Sequence, residues 1–197
     1  MTTTANATYE ELAPSRLEDC RRYLEEARDG AFSATAGLSE AQWNYRPASG
    51  GWSIAGIVEH MVVIQNFILG PIAQSLADAP PPSSYEEVEK IDGIVKKRVP
   101  DRSRKFSAPE SVHPTGRWTP SESLELLSAN TVKLIDRLES TPGLRQHCVP
   151  SPPLNAITDG EYKLMDGYQW IVAAAGHTIR HTEQILEVKA DPGFPPS

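Results

Sequence analysis

Four long stretches of this chain carry apolar residues at three- and four-residue spacing, and none alternates apolar with polar for long. That period restricts the fold to helices packed on helices. The first stretch runs from about Ala13 to Ala36. Leu17, Cys20, Leu24, Ala27, Ala31 and Ala34 share one face, Pro14 suits a first turn, and Gly37 is placed to end the helix. Ser39-Glu40-Ala41-Gln42 matches a capping box and predicts a short helical turn before Pro47. The second long helix begins after Ser53, an N-cap, with Trp52 and Ile57 spaced as a hydrophobic staple. Thr119-Pro120-Ser121-Glu122 opens the third, which continues to near Glu139. The fourth begins between Asp159 and Asp166 and ends before Pro192.

Two loose connections separate these helices. Between Pro80 and Trp118, the run Pro80-Pro81-Pro82 and then Pro100, Pro109 and Pro114 break regular structure, leaving room for a short helix from about Tyr85 to Lys97. A second irregular segment covers Gly143 to about Asp159. Connections this long are unusual in a compact domain and often cover a site. The expected architecture is all-α, a four-helix bundle with long irregular connections between helices 2–3 and 3–4. It forms one domain over residues 1–197, with its core at about 12–192.

Composition removes several function classes. The net charge is −7, and the basic residues are scattered apart from Lys96, Lys97, Arg98, Arg102, Arg104 and Lys105, a patch too small for a phosphate track. No nucleic-acid partner is expected. The start, Met1 to Asn6, lacks a positive segment ahead of an apolar one, and uninterrupted apolar runs such as Met61 to Ile64 are too short to cross a bilayer. No membrane partner is expected either. Cys20 and Cys148 show no metal or redox spacing, which points to free thiols and a cytoplasmic protein.

Three histidines bring the chemistry. His60 falls on the apolar face of the second helix with Ile57, Ile64 and Phe67, while His177 and His181 share a face of the fourth with Trp170 and Ala174. Residues four apart on a helix stack with Cβ atoms about 6 Å apart, so both imidazoles can reach one ion. Helical phase aims all three inward, but whether their heights along the bundle agree depends on the fold. The competing reading is three hydrogen-bonded core histidines without metal. Leaving three unpaired in the core would cost desolvation, and that favours a shared cation. His113 and His147 sit in loops and read as surface or supporting residues.

Two segments carry a resemblance: Gly51-Trp52-Ser53-Ile54-Ala55-Gly56-Ile57-Val58-Glu59-His60 and Ala175-Gly176-His177-Thr178-Ile179-Arg180-His181-Thr182-Glu183-Gln184-Ile185. Weaker echoes are Leu38 to Trp43 and Pro114 to Trp118. With these the chain resembles the DinB-like (YfiT-type) superfamily of bacterial metal-binding four-helix bundles. The resemblance implies a divalent metal ion, zinc or nickel, held by His60, His177 and His181. It also implies kinship with thiol-dependent transferases and isomerases, and a tendency to pair as homodimers.

Three neutral nitrogen ligands leave a coordination position open, the arrangement of a catalytic site. Such an ion lowers the pKa of water to about 7 or holds a thiol as thiolate. Metal-assisted hydrolysis and transfer of a low-molecular-weight thiol both fit. No general base stands out. Glu59 lies about 100° round the helix from His60, Glu183 points away from the site, and Asp166 sits roughly 16 Å along the axis, where it reads as a cap. Gln184 is the strongest candidate for a supporting polar group. Arg102, Arg104, Arg117 and Arg180 read as surface or ion-pair residues, and Trp52, Trp118 and Trp170 as packing residues. The expectation is a metal-dependent thiol S-transferase acting on a small-molecule substrate. A metal-dependent hydrolase and a non-catalytic metal-binding bundle stand as alternatives.

Overall fold

Side chains that close the first turn set where most helices begin. Ser53 Oγ accepts the Gly56 N–H at 3.3 Å. Thr119 with Glu122, and Asp166 with Gln169, form reciprocal capping boxes that satisfy amides no helical carbonyl can reach. The computed structural model describes residues 12–196; the polar start Met1 to Asn6 lies outside them. In chain order the elements are α1 (Pro14–Thr35), α2 (Glu40–Asn44), α3 (Ile54–Phe67), α4 (Ala73–Leu76), α5 (Tyr85–Arg98), α6 (Pro120–Ser140), β1 (Cys148–Pro150), α7 (Pro152–Ile157), β2 (Leu164–Asp166) and α8 (Gly167–Lys189). Gly37 takes φ +69° just beyond α1, the left-handed conformation its placement predicts.

The four long helices α1, α3, α6 and α8 form the bundle. α1 and α3 each pack against both α6 and α8, so α1 stands diagonally opposite α3 and α6 opposite α8, while α3 and α6 are neighbours. α5 lies outside this square against α8. The first connection holds α5, where the sequence left room for a helix from about Tyr85 to Lys97. The second is more ordered than the irregular segment expected, with α7 and an antiparallel pair in which Cys148 faces Asp166 and Pro150 faces Leu164. Strands of three residues are too short to show a period in sequence.

α3 does not stop at Phe67. Ile68–Ile72 continues as a π-helical turn containing Pro71, and α4 follows without a break. Proline has no N–H to donate, and the wider turn accommodates that loss inside a continuing helix. The resulting stretch Ile54–Leu76 is long and apolar enough to cross a membrane by length and composition. Counting only uninterrupted apolar runs misses it, because Glu59, His60, Gln65 and Asn66 punctuate the sequence. More than half of its most apolar window is buried in the bundle, and Glu59, His60 and Gln65 are buried with it, as suits a core helix.

The start of α8 is pinned by a buried polar network that the sequence did not announce. Arg145, 5% exposed, donates to Asp166 Oδ2 at 3.2 Å and to Asp92 on α5. Gln169 Nε2 donates to Asp92 Oδ1 at 3.0 Å. Burial raises the Asp166 carboxyl to about 7, with Arg145 pulling in the opposite direction. Asp166 is therefore the helix cap of α8, and these contacts fix the height and rotation of the helix that carries His177 and His181.

The core is tight at the site end of α6. Leu127 is fully buried, whereas Val132 is 50% exposed on the same helix. Leu127→Ala should lower the unfolding free energy by about 2–5 kcal/mol in urea titrations. Val132→Ala should change it by no more than about 0.5 kcal/mol. Equal losses at the two positions would contradict this packing.

Candidate metal centre

α3 and α8 lie side by side, and their apolar stripes bring His60 against His177 and His181. The Nε2 atoms of His60 and His177 are 3.2 Å apart, and one ring nitrogen from each of the three histidines lies within 4.8 Å of the others. Ring centroids are separated by 5.0 Å (His60–His177), 4.7 Å (His60–His181) and 4.3 Å (His177–His181). His60 and His181 are buried and His177 half-buried. Among the described residues this is the cluster able to hold a metal ion, and no carboxylate or thiol joins it.

Hydrogen bonds choose the tautomers. His60 Nδ1–H donates to the Val112 carbonyl at 2.8 Å, and His181 Nδ1–H donates to Gln184 Oε1 at 2.8 Å. A carbonyl oxygen only accepts, so each Nδ1 carries the proton and each Nε2 keeps its lone pair. His60 Nε2, left bare, faces His177 Nε2 at 3.2 Å, a pair that a proton on His177 Nε2 joins as a hydrogen bond or that a shared cation bridges. A zinc-sized ion with bonds of about 2.0–2.1 Å at tetrahedral angles spaces its nitrogens by roughly 3.3 Å, close to the separation seen here. The donor set therefore fits a divalent cation.

Electrostatics keep the rings neutral. Burial lowers the pKa of His60, opposed by the Val112 bond and helped by nearby His113. Burial, then the neighbouring His181 and His60, then Arg180, hold His177 well below its ordinary value. Burial and His60 bring His181 down to about 3, against the raising effect of Gln184. At neutral pH all three are free bases, the form that coordinates metal.

The surroundings sort the remaining residues singled out in the sequence. Gln184 is the supporting acceptor for His181. Glu183 is exposed. Arg180 donates to the backbone carbonyls of Asp101 and Arg104, and Arg102 pairs with Glu187 at 2.7 Å, so both strap the Pro100–Phe106 loop onto α8. Gly176 lets that loop close in: a Cβ there would lie 3.2 Å from Val99 Cγ1 and 3.3 Å from Pro100 Cδ. Arg104 pairs with Asp159 at 3.0 Å, and Arg117 with Glu59 at 3.2 Å. His113 donates to Ala108 O and His147 to Ala79 O; neither belongs to the cluster.

Two residues have more to do with the site than the sequence suggested. Trp52 packs in the core but also walls the centre, its ring centroid 4.7 Å from His60 and 6.5 Å from His181. Glu59, turned away from the histidine cluster as the helical angle requires, is buried at 3% side-chain exposure and occupied by the loop before α6. It accepts from Thr115 N and Gly116 N, each at 2.8 Å. The signal available was the Pro114–Trp118 echo, which names that loop without naming its anchor.

Comparisons with known proteins agree with this architecture. The family model of the DinB superfamily matches residues 23–185. The uncharacterised protein YuaE of Bacillus subtilis (strain 168) is 23% identical over 168 residues, spanning 83% of this chain and 93% of YuaE. The solved structure of YfiT from Bacillus subtilis superposes with a TM-score of 0.61 at 16% identity, covering 94% of this chain and 93% of that one. YfiT is described as a probable metal-dependent hydrolase with an unusual four-helix bundle topology.

Because the Trp52 ring abuts His60, stoichiometric nickel should quench tryptophan fluorescence, and Trp52→Phe should remove most of that quenching. Quenching that persists unchanged in Trp52→Phe would place the ion elsewhere.

Proposed function

Since the chain belongs to the DinB superfamily, we propose that His60, His177 and His181 hold a divalent cation, zinc or nickel, in an enzyme that transfers a low-molecular-weight thiol to a small electrophile. The observation that supports this reading is the convergence of three neutral ring nitrogens with no fourth protein donor among the described residues. A cation bound by three nitrogens keeps a position for substrate and supplies Lewis acidity, which lowers the pKa of a thiol or a water. Val112 and Gln184 hold two of the rings in the coordinating tautomer. Trp52 covers one side of the cluster and shields it from solvent.

The choice of thiol over water rests on the lack, among the described residues, of an uncommitted carboxylate beside the cluster. The Glu59 carboxylate is committed to Thr115, Gly116 and Arg117, and Glu183 is exposed. Water attack calls for a proton acceptor, whereas a thiol with pKa near 8.5 releases its proton to solvent once acidified further. The S–H bond breaks, its proton goes to bulk buffer, and the sulfur pair forms the new S–C bond as the leaving group departs with its own pair. The protein's own thiols are unsuited: Cys20 and Cys148 are buried, and burial pushes each up to about 12. The thiol therefore arrives as a co-substrate. Free buried thiols also suit the reducing cytoplasm, where we place the protein.

A metal-dependent hydrolase is the second reading, favoured by the description of YfiT. One experiment separates the readings. Metal-stripped and zinc- or nickel-reconstituted protein is assayed for conjugation of a small thiol to an aryl halide and for hydrolysis of an aryl ester. Conjugation should vanish on stripping, return with metal, and fall by more than about 100-fold in His177→Ala, beyond the cost of losing an outer hydrogen-bond partner. Ester hydrolysis without thiol dependence would favour the hydrolase. A metal that raises Tm with neither activity would make the ion a structural fastener.

A further inference from the structure

The reading of His60 as a ligand leaves open what keeps its ring in one orientation. The acceptor for its Nδ1–H is a backbone carbonyl, Val112, at the end of a single 3-10 turn (Glu110–Val112) in the otherwise irregular stretch between α5 and α6. A carbonyl in such a segment holds a ring only as firmly as the segment itself is held.

Glu59, the residue before His60, meets the same segment a few residues on. Its carboxylate accepts from Thr115 N (2.8 Å), Gly116 N (2.8 Å), Thr115 Oγ1 (3.2 Å) and Arg117 Nε (3.2 Å). A buried carboxylate is costly to desolvate unless its lone pairs are met, and this one has four donors, all from one turn. The turn is shaped for the purpose: Gly116 sits at φ +75°, and both neighbouring amides face the same carboxylate. Pro114 lies against α3 at Gly56, where a Cβ would come within 3.2 Å of its ring. Successive residues of one helix thus grip a single loop segment at two points, His60 at Val112 and Glu59 at Thr115–Arg117.

We propose that Glu59 is a positioning residue of the metal centre: it fixes the Thr115–Arg117 turn on α3 and so holds the Val112 carbonyl that sets the tautomer and orientation of His60. This rests on the metal reading of the three histidines, but its first link, from Glu59 to the His60 tautomer, is testable without metal. Glu59→Gln keeps the size of the side chain while replacing one acceptor oxygen with a donor that faces an N–H. Partners of this kind, once removed, weaken metal affinity by about 10–100-fold.

The test uses the full chain, with Glu59→Gln and, from the other side of the contact, Gly116→Ala, which strains the left-handed turn without altering α3. The His60 tautomer is read in the metal-free protein by nitrogen-15 NMR of the imidazoles, and zinc affinity by competition with a chromophoric chelator. Both measurements are made below the melting temperature of each variant. The expected result is a single Nδ1–H form of His60 in the wild type, a mixture of tautomers in both variants, and zinc binding about 10-fold or more weaker. An unchanged His60 tautomer with unchanged zinc affinity would overturn the role of Glu59, even if Tm falls. A wild-type chain that binds no zinc or nickel would instead defeat the metal reading, while the tautomer measurement would still decide whether Glu59 controls His60.

Discussion

The contact between α3 and α8 that brings His60 Nε2 to 3.2 Å from His177 Nε2 is the interaction on which the candidate site depends. Imidazoles in a protein interior lose their hydration, and each must recover partners for both ring nitrogens. For His60 and His181 the outer nitrogen is satisfied by Val112 and Gln184. The inner nitrogens are left facing one another, an arrangement joined by a proton on His177 Nε2 in the metal-free chain and open to a shared cation in its place. The rest of the molecule can be understood as what holds that geometry: the α1 and α6 corners that fix the spacing of α3 and α8, and the loops that close over the centre.

Two loops do this in different ways. Pro100–Phe106 is strapped to α8 by guanidinium groups, with Arg180 reaching backbone carbonyls and Arg102 reaching Glu187, and Gly176 removes the side chain that would stand in its way. The Val112–Arg117 segment is held to α3 by a carboxylate and a histidine from adjacent positions, with Gly56 leaving space for Pro114. In each case a small residue on a site helix permits close approach, and a charged residue nearby supplies the attachment. This explains how Arg102, Arg117 and Arg180, read from the sequence as surface or ion-pair residues, are engaged in holding loops.

Much of this was legible in the sequence because the relevant rules are local. Ser53, Thr119 and Asp166 announce helix starts through bonds spanning three residues, and helical phase puts His60, His177 and His181 on core-facing stripes. The features that were not legible depend on partners distant in the chain or carried by backbone. Nothing in the local sequence of Glu59 shows that its acceptors will meet amides of Thr115 and Gly116, since every residue but proline carries an amide. The Arg145–Asp92–Asp166 network joins three segments, and only the assembled fold places them together. Pro71 lies inside a helix because a π turn absorbs it, an outcome a breaker rule does not anticipate.

The central claim is that three imidazoles share one ion, and X-ray absorption at the metal edge of zinc-loaded protein, purified without a histidine tag, tests it most directly. The account predicts three nitrogen scatterers at about 2.0–2.1 Å with the outer-ring signature of imidazole, diminished by one in His60→Ala. A metal shell without imidazole, or one unaltered by His60→Ala, would contradict it.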